Sequence, residues 1–468
     1  MPKRSWSIDS LVLIFSFFVV AQLLSYAIPH GSFDRVPVPD EPSRSVVVAG
    51  SYAASVGDEN VVLPPWHFLL AITEGLESAQ GIIFLIFLVG GVIGVLRHTG
   101  AIDAALHGAV EHLGKTPWLL IGGCLLLFSI GSFTIGMGEE YVPLVPIIVT
   151  MSLAMRMDAV VAMGMVWVPY GIGWGCAGIN PFGVLIAQNI ANVPLTSGWG
   201  FRLAIMFAFL AVAFHHIYRY AMRVQKHPET SLVAHIDYSV GFKAPADLAM
   251  TGRRVAVLAV FVLGIAGFVY GVSEFHWYIA ELNAIFLGIG LMGAAISRIP
   301  AGETSRIFIE GAAAMTPAAL LVGFARTIEV VLTDGQIIDT IVYSIAGLLE
   351  GLPAEASALG MLLVQTICNF FIPSGSGQAF VTMPIMSPLA TLTDVPQQTA
   401  VLAYQFGDGF TNMIVPTSAL VMGALALGKV PYAAWFKFVG PLLVKMFLMA
   451  GAFLVLSMHI GSASGFGT

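Results

Sequence analysis

The chain has 468 residues, of which 57% are hydrophobic and 10% charged, with a mean hydropathy of +0.87 and a formal net charge of −7. A composition this apolar excludes an ordinary soluble domain and indicates a polytopic helical membrane protein. The continuous apolar runs exclude a β-barrel, whose strands alternate over about ten residues. The three cysteines, Cys124, Cys176 and Cys368, lie scattered in apolar segments and read as buried, inert thiols, with no disulfide framework or metal cluster.

In chain order, MPKRSWSIDS leads into an apolar run at residues 11–28 with no small-residue cleavage site after it, which predicts a first span and not a signal peptide. Residues 255–273, 277–296 and 439–458 likewise approach or reach the roughly 20 residues a spanning helix needs. Residues 142–155, 159–174, 182–190 and 413–427 are apolar but too short or too interrupted to span simply. Lys3 and Arg4 precede the first span, and Arg219, Arg223, Lys226, Lys243, Arg253 and Arg254 crowd the long polar segment in mid-chain, which places both on the cytoplasmic side. The loop 29–66 carries Asp34, Asp40, Glu41, Asp58 and Glu59 against Arg35 and Arg44 and is expected to face outward. His98, His107, His112, His215 and His216 fall near predicted membrane ends, where histidines snorkel toward headgroups.

An internal repeat organises the rest. Glu74-Gly75 and Glu310-Gly311 stand 236 positions apart, as do Val95-Leu96 and Val331-Leu332, Asp103 and Asp339, and Trp199 and Trp435. With small gaps, Pro146 matches Pro384, Val193-Pro194 matches Val430-Pro431, and Asn180 matches Asn412. The charge pattern puts Glu74 on the outer side and Glu310 on the inner side, so the two units are expected to be inverted, as in many transporters. The expected division is 1–66, a first helix and outward loop; 67–223, the first repeat; 224–254, a cytoplasmic linker; 255–298, scaffold helices; and 299–468, the second repeat.

Each repeat is broken twice. GSFTIGMGEEYVP (131–143) and NFFIPSGSGQAF (369–380) interrupt apolar segments of the length a re-entrant hairpin uses, and GCAGINPFG (175–183) and FGDGFTNMIVPTS (406–418) follow one helix later. Unwound backbone is tolerated in a bilayer only where it is buried in protein or lines a wet cavity. At such breaks freed carbonyls, amides and hydroxyls can replace a cation's hydration shell, and half-helix N-termini favour a carboxylate. The plain alternative for any one break is a Gly or Pro kink in a membrane helix. Candidate cation ligands are Ser132, Thr134, Gly138, Gly178, Asn180, Asn369, Ser376, Asp408, Thr411 and Asn412. Candidate substrate residues are Glu139, Glu140, Asn180, Pro181, Arg326, Ser374, Gly375, Ser376, Gln378, Asp408, Asn412 and Thr417.

Four of these carry intramembrane charge. Asp408 sits between Gly407 and Gly409 at a depth where a carboxylate costs at least about 2.5 kcal/mol unless paired, hydrated or protonated. It reads as a ligand for a cation, proton or ammonium, or else as a structural acid at a helix cap. Glu139 and Glu140 form an acidic pair in an apolar region. Arg326 and Glu329, three apart on a predicted helix, share a face and can pair, so that Arg326 either receives a substrate carboxylate or braces two helices. No Walker glycine precedes GKT at 114–116 and no HExxH occurs, which excludes a phosphate-loop ATPase and a zincin.

GEEYVPLVPI with GINPFGVLIAQ, and IPSGSGQAFVTMPIMSPLA with QFGDGFTNMIVPTS, resemble the YfcC-type permeases of the ion transporter superfamily, described as basic amino acid antiporters or four-carbon dicarboxylate carriers. The resemblance implies a homodimer in which each protomer has a scaffold and a transport domain that moves as an elevator. It implies one ion site at Ser132, Thr134 and Asn180 and another at Ser374, Ser376, Thr411 and Asn412. The Ser-Asn-Thr signature of the sodium-dicarboxylate branch is replaced here by GMGEE. The expected protein is an all-α, inner-membrane secondary transporter with a cytoplasmic N-terminus and an extracytoplasmic C-terminus. Its expected substrate is a small carboxylate-bearing solute, with an amino acid of the arginine or ornithine type first and a dicarboxylate second, coupled to Na⁺ or H⁺ or by exchange. An ion channel is the alternative of another class. No enzyme activity, cofactor or nucleic-acid partner is expected.

Overall fold

A computed structural model describes residues 10–38, 41–55, 62–105, 108, 116–180, 182–238, 249–275, 277, 279–349 and 351–460. Pro181, His107 and His112, singled out above, lie outside them. Helix α1 (Ser10–Ala27) covers the apolar run in which a first span was expected. The loop after it forms two small antiparallel pairs, Gly31–Ser32 with Ala53–Ala54 and Arg35–Val38 with Glu41–Val47.

Two series of helices follow. The first comprises α2 (His67–Ser78), α3 (Gln80–His98), α4 (Pro117–Thr134), α5 (Val145–Ala154), α6 (Ala159–Gly175), α7 (Val184–Ile190) and α8 (Trp199–Lys226). After α9 (Gly252–Phe275) and α10 (Ile279–Ser297) the pattern returns as α11 (Ala301–Ala313), α12 (Thr316–Asp334), α13 (Ile338–Gly347), α14 (Ala354–Phe371), α15 (Gly375–Leu392), α16 (Gln397–Thr411), α17 (Ala419–Leu427) and α18 (Tyr432–His459). The bounds of α12 are those of α3 displaced by 236 positions, and the helices on either side stay within a few residues of the same offset. Among the described residues α3, α4, α8, α10, α14 and α18 are long and apolar enough to cross a membrane. The chain is therefore an all-α, multi-pass membrane protein.

Equivalent elements exchange partners. Helix α2 packs on α12 and α3 on α11. The contacts descend as the sequence ascends: Gly90 and Gly91 meet Gly311 and Phe308, and Gly94 meets Ile307, so α3 and α11 run antiparallel at close approach. The two ends of this pairing are closed by His67 Nε2 to Asp334 Oδ2 at 2.8 Å and His98 Nε2 to Glu303 Oε1 at 3.5 Å. His67 and Glu303 are 236 positions apart, and so are His98 and Asp334, so these are the same contact made twice. Helices α6 and α16, also equivalent, cross antiparallel as well. A Cβ on Gly409 would overlap the Gly175 backbone, and one on Gly171 would overlap Met413 and approach the Gly409 carbonyl.

That crossing revises one expectation. The break expected at 406–418 starts only after Thr411, and Gly407-Asp408-Gly409 lies inside α16. Its glycines serve close approach, Gly407 to Gln365 of α14 and Gly409 to α6, and do not unwind the helix. Asp408 is accordingly not a helix cap. The other breaks fall near where they were expected. Helix α4 ends at Thr134, a 3₁₀ turn spans Glu139–Leu144, α14 and α15 are separated at 372–374, and α6 and α7 at 176–183. Cys124, Cys176 and Cys368 are buried free thiols.

Candidate transport site

The breaks gather around one cavity of about 290 Å³. Ser374, Gly375 and Ser376 bring the first turn of α15 to it, with Ser374 as N-cap. Backbone N–H groups of a first turn lack intrahelical acceptors and carry the positive end of the helix dipole. Ser418 and Ala419 present the start of α17 to the same space. Glu139 enters from the start of the 3₁₀ turn, next to Gly136, whose φ of +74° permits the reversal after α4. Tyr170 and Trp174, one turn apart on α6 with ring centroids separated by 5.9 Å, form an aromatic wall. Arg326 of α12 and Ser78-Ala79 at the α2–α3 joint close it. Arg326 Nη1 also donates to Glu329 Oε2 at 2.5 Å, the pairing their spacing predicted.

Behind this lining is a fully buried polar cluster. Asp408 Oδ2 accepts from Trp174 Nε1 at 2.6 Å, and Oδ1 accepts from Asn412 Nδ2 at 2.8 Å. Asn369 Nδ2 donates to Asp408 O at 3.0 Å, Thr411 Oγ1 at 2.6 Å and Asn412 Oδ1 at 3.0 Å. Asn369 Oδ1 is buried and has no hydrogen-bond partner. Three oxygens thus converge on one amide nitrogen while a fourth oxygen lies unmatched beside them. An unsatisfied buried acceptor costs about 1–3 kcal/mol, and this one stands beside the oxygens of a candidate ligand set. Tyr404 OH donates to Gly375 O at 2.7 Å and ties the hairpin tip to α16.

The first-repeat candidates are arranged differently. Asn180 Nδ2 donates to Ser132 O at 3.2 Å, and Asn180 Oδ1 accepts from Phe182 N at 2.7 Å. Ser132 Oγ donates to Met137 O at 2.7 Å, Thr134 Oγ1 to Ile130 O at 2.7 Å within its own helix, and the Gly178 N–H to Phe133 O at 3.3 Å. Glu140 is buried, and its Oε2 accepts from Gly138 N at 2.7 Å, so it holds the turn from which Glu139 projects. Gln378 bonds Gln365 of α14, and Thr417 donates to Phe370 O at 2.8 Å, so both tie the hairpin together away from the cavity. Of the proposed substrate residues, Glu139, Arg326, Ser374, Gly375, Ser376 and Asn412 line the cavity, and Asp408 lies one side chain behind it.

Sequence reasoning missed Tyr170, Trp174, Phe182 and the joint at Ser78-Ala79. The available signal was YGIGWG, two aromatics among glycines directly before a break, in a chain with only 8 tryptophans.

Comparison with known proteins agrees with this architecture. Residues 8–459 match the family described as DcuC, C4-dicarboxylate anaerobic carrier. The chain is 32% identical to the "Putative basic amino acid antiporter YfcC" of Escherichia coli K12, over 97% of each sequence. It is 30% identical to an uncharacterized protein of Haemophilus influenzae, over 84% of this chain and 78% of that one. A looser likeness, TM-score 0.43 at 15% identity over 96% of this chain and 98% of the other, is to the Alcanivorax borkumensis YdaH transporter and bears no weight here. With the match running nearly end to end and the breaks gathered on one cavity, the chain belongs to the DcuC family as a YfcC-type permease, a membrane transporter.

Proposed function

We propose that the chain is an inner-membrane secondary transporter for an amino acid with a cationic side chain, of the arginine or ornithine type. The observation that carries this is the sharing of one cavity by Glu139, Arg326 and the first turn of α15. An α-carboxylate is matched by Arg326 and the Gly375 and Ser376 N–H groups, through charge-assisted hydrogen bonds and the helix dipole. The distal cation is matched by Glu139 and the faces of Tyr170 and Trp174, a cation–π arrangement worth roughly 0.5–2 kcal/mol. The volume, about 290 Å³, is near the lower bound of about 300 Å³ for small-molecule sites and suits a solute of this size.

A four-carbon dicarboxylate is the second reading, favoured by the family description and by two helix starts, those of α15 and α17, on one cavity. Against it, Glu139, which lines the cavity, would repel a dianion. The coupling ion we infer is Na⁺ at the Asn369 cluster. Exchange of the two ends of the Asn369 amide brings its Oδ1 among Asp408 O, Thr411 Oγ1 and Asn412 Oδ1, an all-oxygen set that a hard cation satisfies. The antiparallel crossings and the twice-made His–carboxylate contact support an inverted repeat working by alternating access.

Purified protein in vesicles, loaded with arginine and offered labelled arginine, ornithine, fumarate or succinate with and without Na⁺, tests these readings together. Exchange of the basic amino acids is expected, and Glu139→Gln is expected to raise their KM by about tenfold or more. Exchange of dicarboxylates alone would reverse the order of the two readings.

A further inference from the structure

Away from the cavity, α8 and α18 enclose a second hollow of about 470 Å³ whose lining is dominated by bases. His215, His216, Arg219 and Arg223 come from α8, and Lys437 and Lys445 from α18. On α8 they recur at helical spacing along one face; on α18 the lysines lie two turns apart on either side of Pro441. No carboxylate is among the residues that line it. Asp158, behind Tyr220, is already engaged by Tyr220 OH at 2.6 Å, Ser231 Oγ at 2.6 Å and Val161 N at 2.9 Å. His216 Nε2 bonds Phe438 O at 2.9 Å and fixes the two helices against each other.

The surroundings of these bases are apolar. Beside Lys437 and Lys445, Phe436 is 52%, Val444 61% and Leu448 73% exposed, which on a membrane-crossing helix is a surface that faces hydrocarbon. Thr230 and Leu232, in the segment that follows α8, also line the hollow, and Arg219, Arg223 and Lys437 lie toward the helix ends that this segment joins. The bases therefore lie where a span meets the water boundary, in a low-dielectric setting that favours a counter-charge. A ligand that fits must carry an anionic head and apolar chains together.

We propose that this hollow binds the phosphodiester headgroup of an anionic diacyl phospholipid, with the acyl chains lying along Val444 and Leu448. Basic pockets between membrane helices take such headgroups, each Lys or Arg near the surface adding about a fivefold gain in affinity. The proposal is independent of the substrate and coupling ion proposed above.

Protein purified in neutral detergent is to be titrated separately with dioleoyl phosphatidylglycerol, dioleoyl phosphatidylcholine and inorganic phosphate, followed by thermal melting and by native mass spectrometry. Phosphatidylglycerol is expected to raise Tm by at least about 2 °C more than phosphatidylcholine and to leave bound adducts. K437Q/K445Q is expected to weaken phosphatidylglycerol binding at least about tenfold. If that variant does not fold, R219Q/R223Q is read in the same way. Equal shifts from the two lipids, an unchanged phosphatidylglycerol response in the variant that folds, or the full shift from inorganic phosphate alone would each overturn the proposal, the last in favour of a soluble anion.

Discussion

The two repeats share an element order but not a state of packing. In the first, the polar groups at the breaks close on one another: Asn180 is satisfied by Ser132 and Phe182, and Thr134 by its own helix. In the second, the equivalent groups converge on Asn369 and leave its Oδ1 unmatched. The outer packing differs in the same sense. Helix α12 lies firmly on α17, with Gly423 against Val322, whereas among the described residues the equivalent α3 makes no comparable contact with α7. The two halves of the duplication are thus packed unequally, an asymmetry that the matching residues of the sequence repeat do not carry.

The sharpest way to break that comparison is to fasten the packed side. Val322→Cys with Gly423→Cys, joined by a short bifunctional reagent, is expected to reduce uptake to background, with recovery if a cleavable linker is used; the native cysteines are buried. Undiminished uptake by the joined protein would mean that α12 and α17 need not part. Next in size, Asp408→Asn replaces one of the two carboxyl oxygens that accept from Trp174 and Asn412 with an amide NH₂ and is expected to slow uptake by about a hundredfold, while the melting temperature shifts only modestly. Arg326→Lys keeps the charge but loses the planar fork, and a rise of about tenfold in KM with little change in maximal rate is expected from initial-rate kinetics. The smallest effect is expected of Thr134→Ala. Because that hydroxyl serves its own helix, half-saturation by Na⁺ should move less than about twofold, and a larger change would make the two halves of the site more alike than they look.

Much of this was legible in the chain because composition, breaks and repeats act locally. The 236-residue offset located α12 from α3, and the glycine-rich interruptions located the gaps at 135–138 and 372–374. The acid–base spacing of Arg326 and Glu329 foretold their pairing. What could not be read is whatever depends on which faces meet. Gly407-Asp408-Gly409 looked like a break because glycine unwinds helices, yet the same residue also lets helices touch, and only the neighbours Gln365 and Gly175 decide between the two. Trp174 was invisible for a related reason: an indole in an apolar run reads as core until a carboxylate is found 2.6 Å from its nitrogen. The short strands after α1 carry no signal of their own in the sequence because they are held from elsewhere, by Arg35 on Asp339 at 2.7 Å and by Tyr52 stacked on Tyr343 at 4.1 Å.

The crossing of α6 and α16 has a consequence for how variation should distribute. Where backbone meets backbone at Gly175 and Gly409 there is no side chain to trim or repack, so nearly every substitution there adds bulk. A random library scored twice, once for expression and once for turnover, should therefore separate into two maps. Losses of yield should mark the α6–α16 crossing, while variants that fold normally but run faster or slower should fall along the α12–α17 seam.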